Sequence, residues 1–157
     1  MKYRRLTREQ LQELHQEFIN FLATQSITAE EWSRIKDTKP QVVEEELDLF
    51  SDLVWEGVLS KVEYLENISP QQMHLFYLSE KEMKLIAVKL MNPEADLTTQ
   101  TGFTWFRKNW QSDFVDYLVA SKAYSDDRKH DIFELIEQGA VITKGALYRW
   151  FETVIAE

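Results

Sequence analysis

The chain has 157 residues, 18 basic and 27 acidic, for a net charge of −9, with 44% hydrophobic residues, four glycines, three prolines and no cysteine. This is the profile of a folded globular domain rather than a disordered or fibrous one, and the missing cysteines exclude disulfides, thiolate metal sites and cysteine nucleophiles. No apolar run exceeds four residues, so no membrane span is expected, and the basic start runs straight into Glu9 and Gln10 without the apolar stretch of a secretory signal, which makes the cytoplasm the expected compartment.

Taken in chain order, the first signal is basic. Lys2, Arg4, Arg5 and Arg8 cluster at the N-terminal tip, where they read as solvated charges beside a helix start; contact with a phosphate or an acidic partner is the alternative. Thr7 and Gln10 have capping-box spacing, and Leu11, Leu14, Phe18, Phe21 and Leu22 follow at helical intervals, which predicts a helix over about 8–24. A second box, Thr28 with Glu31, opens a short helix carrying Trp32 and Ile35 that stops before Pro40. The third helix, over about 41–59, is acidic. Positions 40–60 hold Glu44, Glu45, Glu46, Asp48, Asp52 and Glu56 with no Lys or Arg, so this segment supplies −6 of the net charge. Val43, Leu47, Phe50, Val54 and Val58 share one arc of the helix, and Glu45, Asp48, Asp52 and Glu56 share the opposite one. Two residues break the partition: Glu46 projects into the apolar arc and Trp55 into the acidic one.

From Lys61 the period changes to two. Val62–Glu66, Met73–Leu78 and Lys84–Met91 read as three strands, the last two joined by the charged turn Ser79-Glu80-Lys81-Glu82. Closing that turn pairs Leu78 with Met83, Phe76 with Leu85 and His74 with Ala87, and leaves both faces largely apolar, so both must be covered by helices or by another subunit. After Asn92-Pro93 the helical period returns: Phe103, Phe106 and Trp110 mark one helix, and Ser112 caps another through Phe114, Tyr117 and Leu118. Ile132, Phe133, Leu135 and Ile136 form a third, ended by Gly139, and Thr143 caps a last one with Leu147, Trp150, Phe151 and Val154. The expected architecture is a single α+β domain over 1–157: N-terminal helices, a small three-stranded antiparallel sheet, then C-terminal helices.

No strong catalytic motif is present. The four glycines stand alone, so there is no phosphate-cradling loop, and neither a His-Glu-x-x-His nor a Gly-x-Ser-x-Gly pattern occurs. Four residue groups are candidates for chemistry or binding. On their helix Asp127, His130, Asp131 and Glu134 project within one arc, where a carboxylate beside an imidazole suits acid–base work or divalent-metal ligation; alternating charges on a helix otherwise form a solvated face. His74, on a strand beside Phe76 and Leu85, reads as a core-edge histidine with a catalytic base as the alternative. Trp55 flanked by Asp52 and Glu56, with Glu46 nearby, suits an aromatic anchor with a polar rim on a docking face, and a solubilising surface is the bland counterpart. Trp105, within Phe103–Trp110, is the aromatic left over after core packing is accounted for; the aromatic–cation mixture there resembles a single-strand binder, but a net charge of −9 argues against nucleic acid.

The stretches Ser51–Ser69, Ala120–Ser125 and Gly139–Gly145, with the start Lys2-Tyr3-Arg4-Arg5-Leu6, resemble an uncharacterised bacterial family of unknown function, full-length at this size. That resemblance implies no activity to transfer. The expected function is a non-enzymatic cytoplasmic protein-interaction domain with a protein partner or a second copy of itself, no cofactor, no metal, no membrane and no nucleic acid. The alternative is a small hydrolase-like or metal-dependent enzyme using His130 with Asp127 or Glu134.

Overall fold

Thr7 Oγ1 accepts from the Gln10 amide at 3.2 Å while Gln10 Oε1 accepts from the Thr7 amide at 2.8 Å. This closes the box that starts α1 (Arg8–Glu13) in the computed structural model, which describes residues 1–155. The expected single helix over 8–24 is two. Leu14 leaves the helical basin at ψ 22, its amide turning back to Gln10 O, and α2 (His15–Thr24) begins after it. Thr28 caps α3 (Ala29–Thr38) by accepting from the Glu31 amide. Lys39, held out of the helical region by the proline after it, separates α3 from α4 (Pro40–Lys61). Pro40 suits the first helical position because no partner is needed there for the N–H it lacks.

Residues Met1–Ser60 form one compact unit and Lys61–Glu157 a second. In the first, α4 buries Glu46, Phe50, Ser51, Trp55 and Leu59, while Leu53 and Val58 are exposed. The buried arc is therefore rotated from the one through Val43, Leu47, Phe50, Val54 and Val58. Phe50 anchors it, with the rings of Phe18 at 5.1 Å and Phe21 at 5.4 Å, and Phe18 meets Trp32 edge-on at 5.3 Å.

The second unit is built on an antiparallel sheet of five strands, not three: β1 (Tyr64–Ile68), β2 (Gln72–Leu78), β3 (Glu82–Leu90), β4 (Val115–Ala123) and β5 (Val141–Thr143), in the order β4-β3-β2-β1-β5. The β2–β3 hairpin has the expected register, with Leu78 opposite Met83, Phe76 opposite Leu85 and His74 opposite Ala87. The two extra strands replace predicted helical features. Ser112 builds a turn instead of a cap, its hydroxyl taking the Phe114 amide and its carbonyl the Val115 amide, and the chain leaves that turn extended against β3. Thr143 lies in β5 opposite Tyr64 and accepts from the Gly145 amide, two residues beyond it.

One sheet face carries the main core. Met73 and Leu75 of β2, Ile86 and Val88 of β3, and Val115 of β4 pack against Phe106 of α5 (Gln100–Asn109) and Tyr148 and Phe151 of α7 (Ala146–Ile155). Tyr117 and Tyr148 line this core, and burial pushes both phenols up to about 12. The Tyr117 hydroxyl donates to Trp110 O. Gly102 lets α5 close down on the preceding turn, since a Cβ there would stand 1.8 Å from Asp96 O. Over the other face lies α6 (Arg128–Glu137), with Ile132 fully buried. Its end is the expected one: at φ +111 Gly139 sends its amide to Ile136 O, and Ala140 sends its own to Leu135 O, a Schellman closure. No described helix is long and apolar enough to cross a membrane.

Arg128, at the first position of α6, ties this unit together. Its Nη2 donates to Val62 O at 2.7 Å and Leu78 O at 3.1 Å, its Nε donates to Ser79 O at 3.2 Å, and its guanidinium stacks 5.8 Å from the Tyr124 ring centre. One planar fork thus serves three carbonyls, and the Tyr124 hydroxyl shares the last of them, Ser79 O. Arg128→Ala is expected to cost about 2–3 kcal/mol, the range for charge-assisted bonds, since Val62 O and Leu78 O lose this donor. Arg128→Lys should recover less than half of that. Urea denaturation measures both, and an alanine variant as stable as the parent would contradict the assignment.

Candidate functional site

The first cluster lies within Met1–Ser60, where the basic tip and the acidic helix meet. Residues 2–6 run antiparallel along α4. The Lys2 and Tyr3 amides donate to the two Asp52 carboxylate oxygens at 2.7 and 2.9 Å. Glu56 takes the Lys2 ammonium at 2.6 Å and the Tyr3 hydroxyl at 2.8 Å. One turn back, Arg5 bonds Asp48 through Nε at 2.8 Å and also pairs with Glu44, and these two carboxylates, Asp48 first, raise the Arg5 pKa above its ordinary value. Leu6 N donates to the fully buried Ser51 hydroxyl at 3.0 Å.

Trp55 lies beneath this arm. It is only 8% exposed, its Nε1 donates to Arg4 O at 3.1 Å, and the Arg4 guanidinium sits 5.2 Å from its ring centre. An indole so covered has no face left for a partner, so the exposed-anchor reading of Trp55 is corrected: the chain's own N-terminus is what it anchors. Glu46 is 9% exposed and accepts from Gln25 Nε2 at 2.8 Å, which explains a carboxylate on a buried arc. Asp52 and Glu56 are half-buried receptors for the arm.

The remaining candidates stand on three elements of the second unit. His130 Nε2 lies 2.9 Å from Glu134 Oε1, an i,i+4 pair with both side chains about half exposed. Asp127 does not join it at the ring: its carboxylate caps α6, accepting from the Lys129 amide at 3.0 Å and the His130 amide at 3.5 Å. His74 is half-buried in β2, in register between Asn67 and Ala87. Trp105 is half-buried on α5 against the main core, which corrects its reading as a free surface aromatic. None of these residues lines either of two apolar cavities in this unit. One, of about 260 Å³, lies between α5 and α7 at Phe103, Trp110 and Trp150; the other, of about 290 Å³, lies beside β4 at Phe76, Leu85, Ala120 and Leu135. Among the described residues no group of three or more His, Cys, Asp or Glu is placed to hold a metal ion.

The feature that sequence reasoning missed is β4 itself. It is nine residues long and stands at the sheet edge. Every residue from Leu118 to Ala123 is exposed, Leu118 at 59% and Val119 at 61%, with Phe114 at 58% just before the strand. Such an edge offers a row of backbone donors and acceptors together with apolar side chains. A signal for it existed in the run Val115–Ala123, where the β-formers Val115, Tyr117 and Val119 alternate and no Gly or Pro intervenes.

Residues 1–156 match the model of DUF6495, a family of unknown function, and the chain belongs to that family. No curated protein and no solved structure matches it.

For the arm, Asp52→Ala is expected to cost about 1–3 kcal/mol, because two main-chain amides lose their acceptor. Amide exchange at Tyr3 should accelerate in the same variant. Unchanged stability together with unchanged exchange would show that the arm does not depend on this carboxylate.

Proposed function

We propose that this member of DUF6495 is a single-domain, non-enzymatic protein-interaction module whose binding element is the free edge of β4. One observation carries the reading. A long, largely apolar strand occupies the sheet edge with its outer residues exposed; it is not short and contains no proline or bulge, so of the devices that usually blunt such edges it carries only two charges, Asp116 and Lys122. Strand addition to such an edge takes affinity from main-chain hydrogen bonds and selectivity from alternate side chains. The His130–Glu134 pair supports the rival enzymatic reading less well, since the third member of that group, Asp127, is committed to capping α6.

The cytoplasm is the compartment we assign, in keeping with a chain that uses no cysteine. Recovery of the protein in a membrane pellet on cell fractionation would count against it.

The test of the module is strand addition itself. A fluorescently labelled peptide of residues 115–123 should bind the full chain with saturable anisotropy, and Val119→Pro in the protein should abolish binding by removing an edge donor. Equal binding of a scrambled peptide, or no binding at all, would contradict the reading.

A further inference from the structure

We infer that the strand received by β4 is β4 of a second copy, paired antiparallel about a two-fold axis at Val119. This rests on the reading of β4 as a binding edge and names its occupant.

The backbone determines which groups are on offer. Met91 N donates to Phe114 O at 2.7 Å, one step beyond the register pair Leu90 and Val115. In an antiparallel ladder bonded and non-bonded pairs alternate, and the β3–β4 register runs unbroken from Val115 to Ala123. Phe114, Asp116, Leu118, Ala120 and Lys122 therefore direct their N–H and C=O groups to β3. Tyr117, Val119, Ser121 and Ala123 direct theirs to the free edge, as Val115 does its C=O, its N–H being held by Ser112 O.

Charge then selects the register. Asp116 and Lys122 are the charged residues of β4, and they lie three positions on either side of Val119. With the axis at Val119, Asp116 of each copy faces Lys122 of the other, so two opposite-charge pairs form. These are non-bonded pairs, where side chains approach most closely. Moving the axis by one residue in either direction puts Asp116 opposite Ala120 or Tyr124 instead. The Val119 register also sets all nine residues opposite one another: Val119 with itself and Tyr117 with Ser121 as bonded pairs, and Val115 opposite Ala123, where the Val115 C=O is the group left to pair because its N–H is held by Ser112 O. Leu118 of the second copy comes to lie opposite Ala120, a lining residue of the 290 Å³ cavity that also includes Phe76, Leu85 and Leu135. The exposed leucine thus gains an apolar neighbourhood on the same sheet face. The strand is complementary to itself in backbone pattern, charge and side-chain size, and this is what an isologous two-fold contact requires.

The cysteine-free chain makes the test clean. Val119→Cys should form a disulfide-linked dimer under mild oxidation, because a bonded antiparallel pair stands about 5.5 Å apart at Cα, within disulfide range. Ser121→Cys should not, since its own symmetry mate lies about 13 Å away along the strand. Light scattering should show twice the 18.7 kDa chain mass. Asp116→Lys and Lys122→Asp should each weaken the dimer tenfold or more. Mixing the two variants, or combining both changes in one chain, should restore it. A chain that stays at 18.7 kDa at high concentration and does not cross-link at position 119 overturns the proposal. Equal cross-linking at 119 and 121 overturns the register. If the 115–123 peptide binds while the chain stays monomeric, the edge reading survives and only the second copy as occupant fails.

Discussion

An open sheet must end in two edges, and the unmatched backbone groups along them are the constraint on which the account of this protein turns. The two edges are handled differently. On one side β5 has only three residues, so it exposes little unpaired backbone. On the other, β4 runs for nine, its odd-numbered residues turned away from β3. The core does not need those outward groups: Val115 and Tyr117 already close the apolar face, and beyond them the strand buries little. Its second half is therefore held mainly by hydrogen bonds to β3. A strand in that position is stabilised by whatever completes its other side.

The acidity of the chain has a different explanation, internal to the first unit. The segment with −6 of the net charge is largely the receptor for the basic N-terminus. Half-exposed ion pairs such as Lys2–Glu56 contribute only about 0–1 kcal/mol each, so they do not hold the arm by themselves. Greater weight falls on the less exposed contacts: the Tyr3 amide on Asp52, the Leu6 amide on the buried Ser51 hydroxyl, and the indole N–H of Trp55 on Arg4 O. Burying the Trp55 ring adds an apolar contribution larger than any single pair there. The charges then act as a register, fixing which residue of the arm lies over which turn of α4.

Local signals in the sequence were legible and distant ones were not. The Thr7 box, the Gly139 closure and the β2–β3 register follow from residues within a few positions of one another, and each is found as expected. β4 was misread because Phe114, Tyr117 and Leu118 fit helical spacing, and because a strand exposed over most of its length has little alternation to display. Trp55 looked misplaced because its cover, Arg4 and Tyr3, lies about fifty residues away. The complementary charges of the tip and of α4 were both visible, but spacing along the chain carries no information that they meet. Arg128 was hidden for a related reason: in a run of alternating charges, nothing marks the one whose fork reaches three carbonyls.

Amide hydrogen exchange along β4, followed residue by residue as protein concentration is raised, tests the central claim most directly. Leu118, Ala120 and Lys122 should be protected at every concentration, because their amides are bonded to β3. Tyr117, Val119 and Ser121 should exchange fast when dilute and become protected together as the second copy completes the edge. Fast exchange at these three residues at all concentrations would contradict the account.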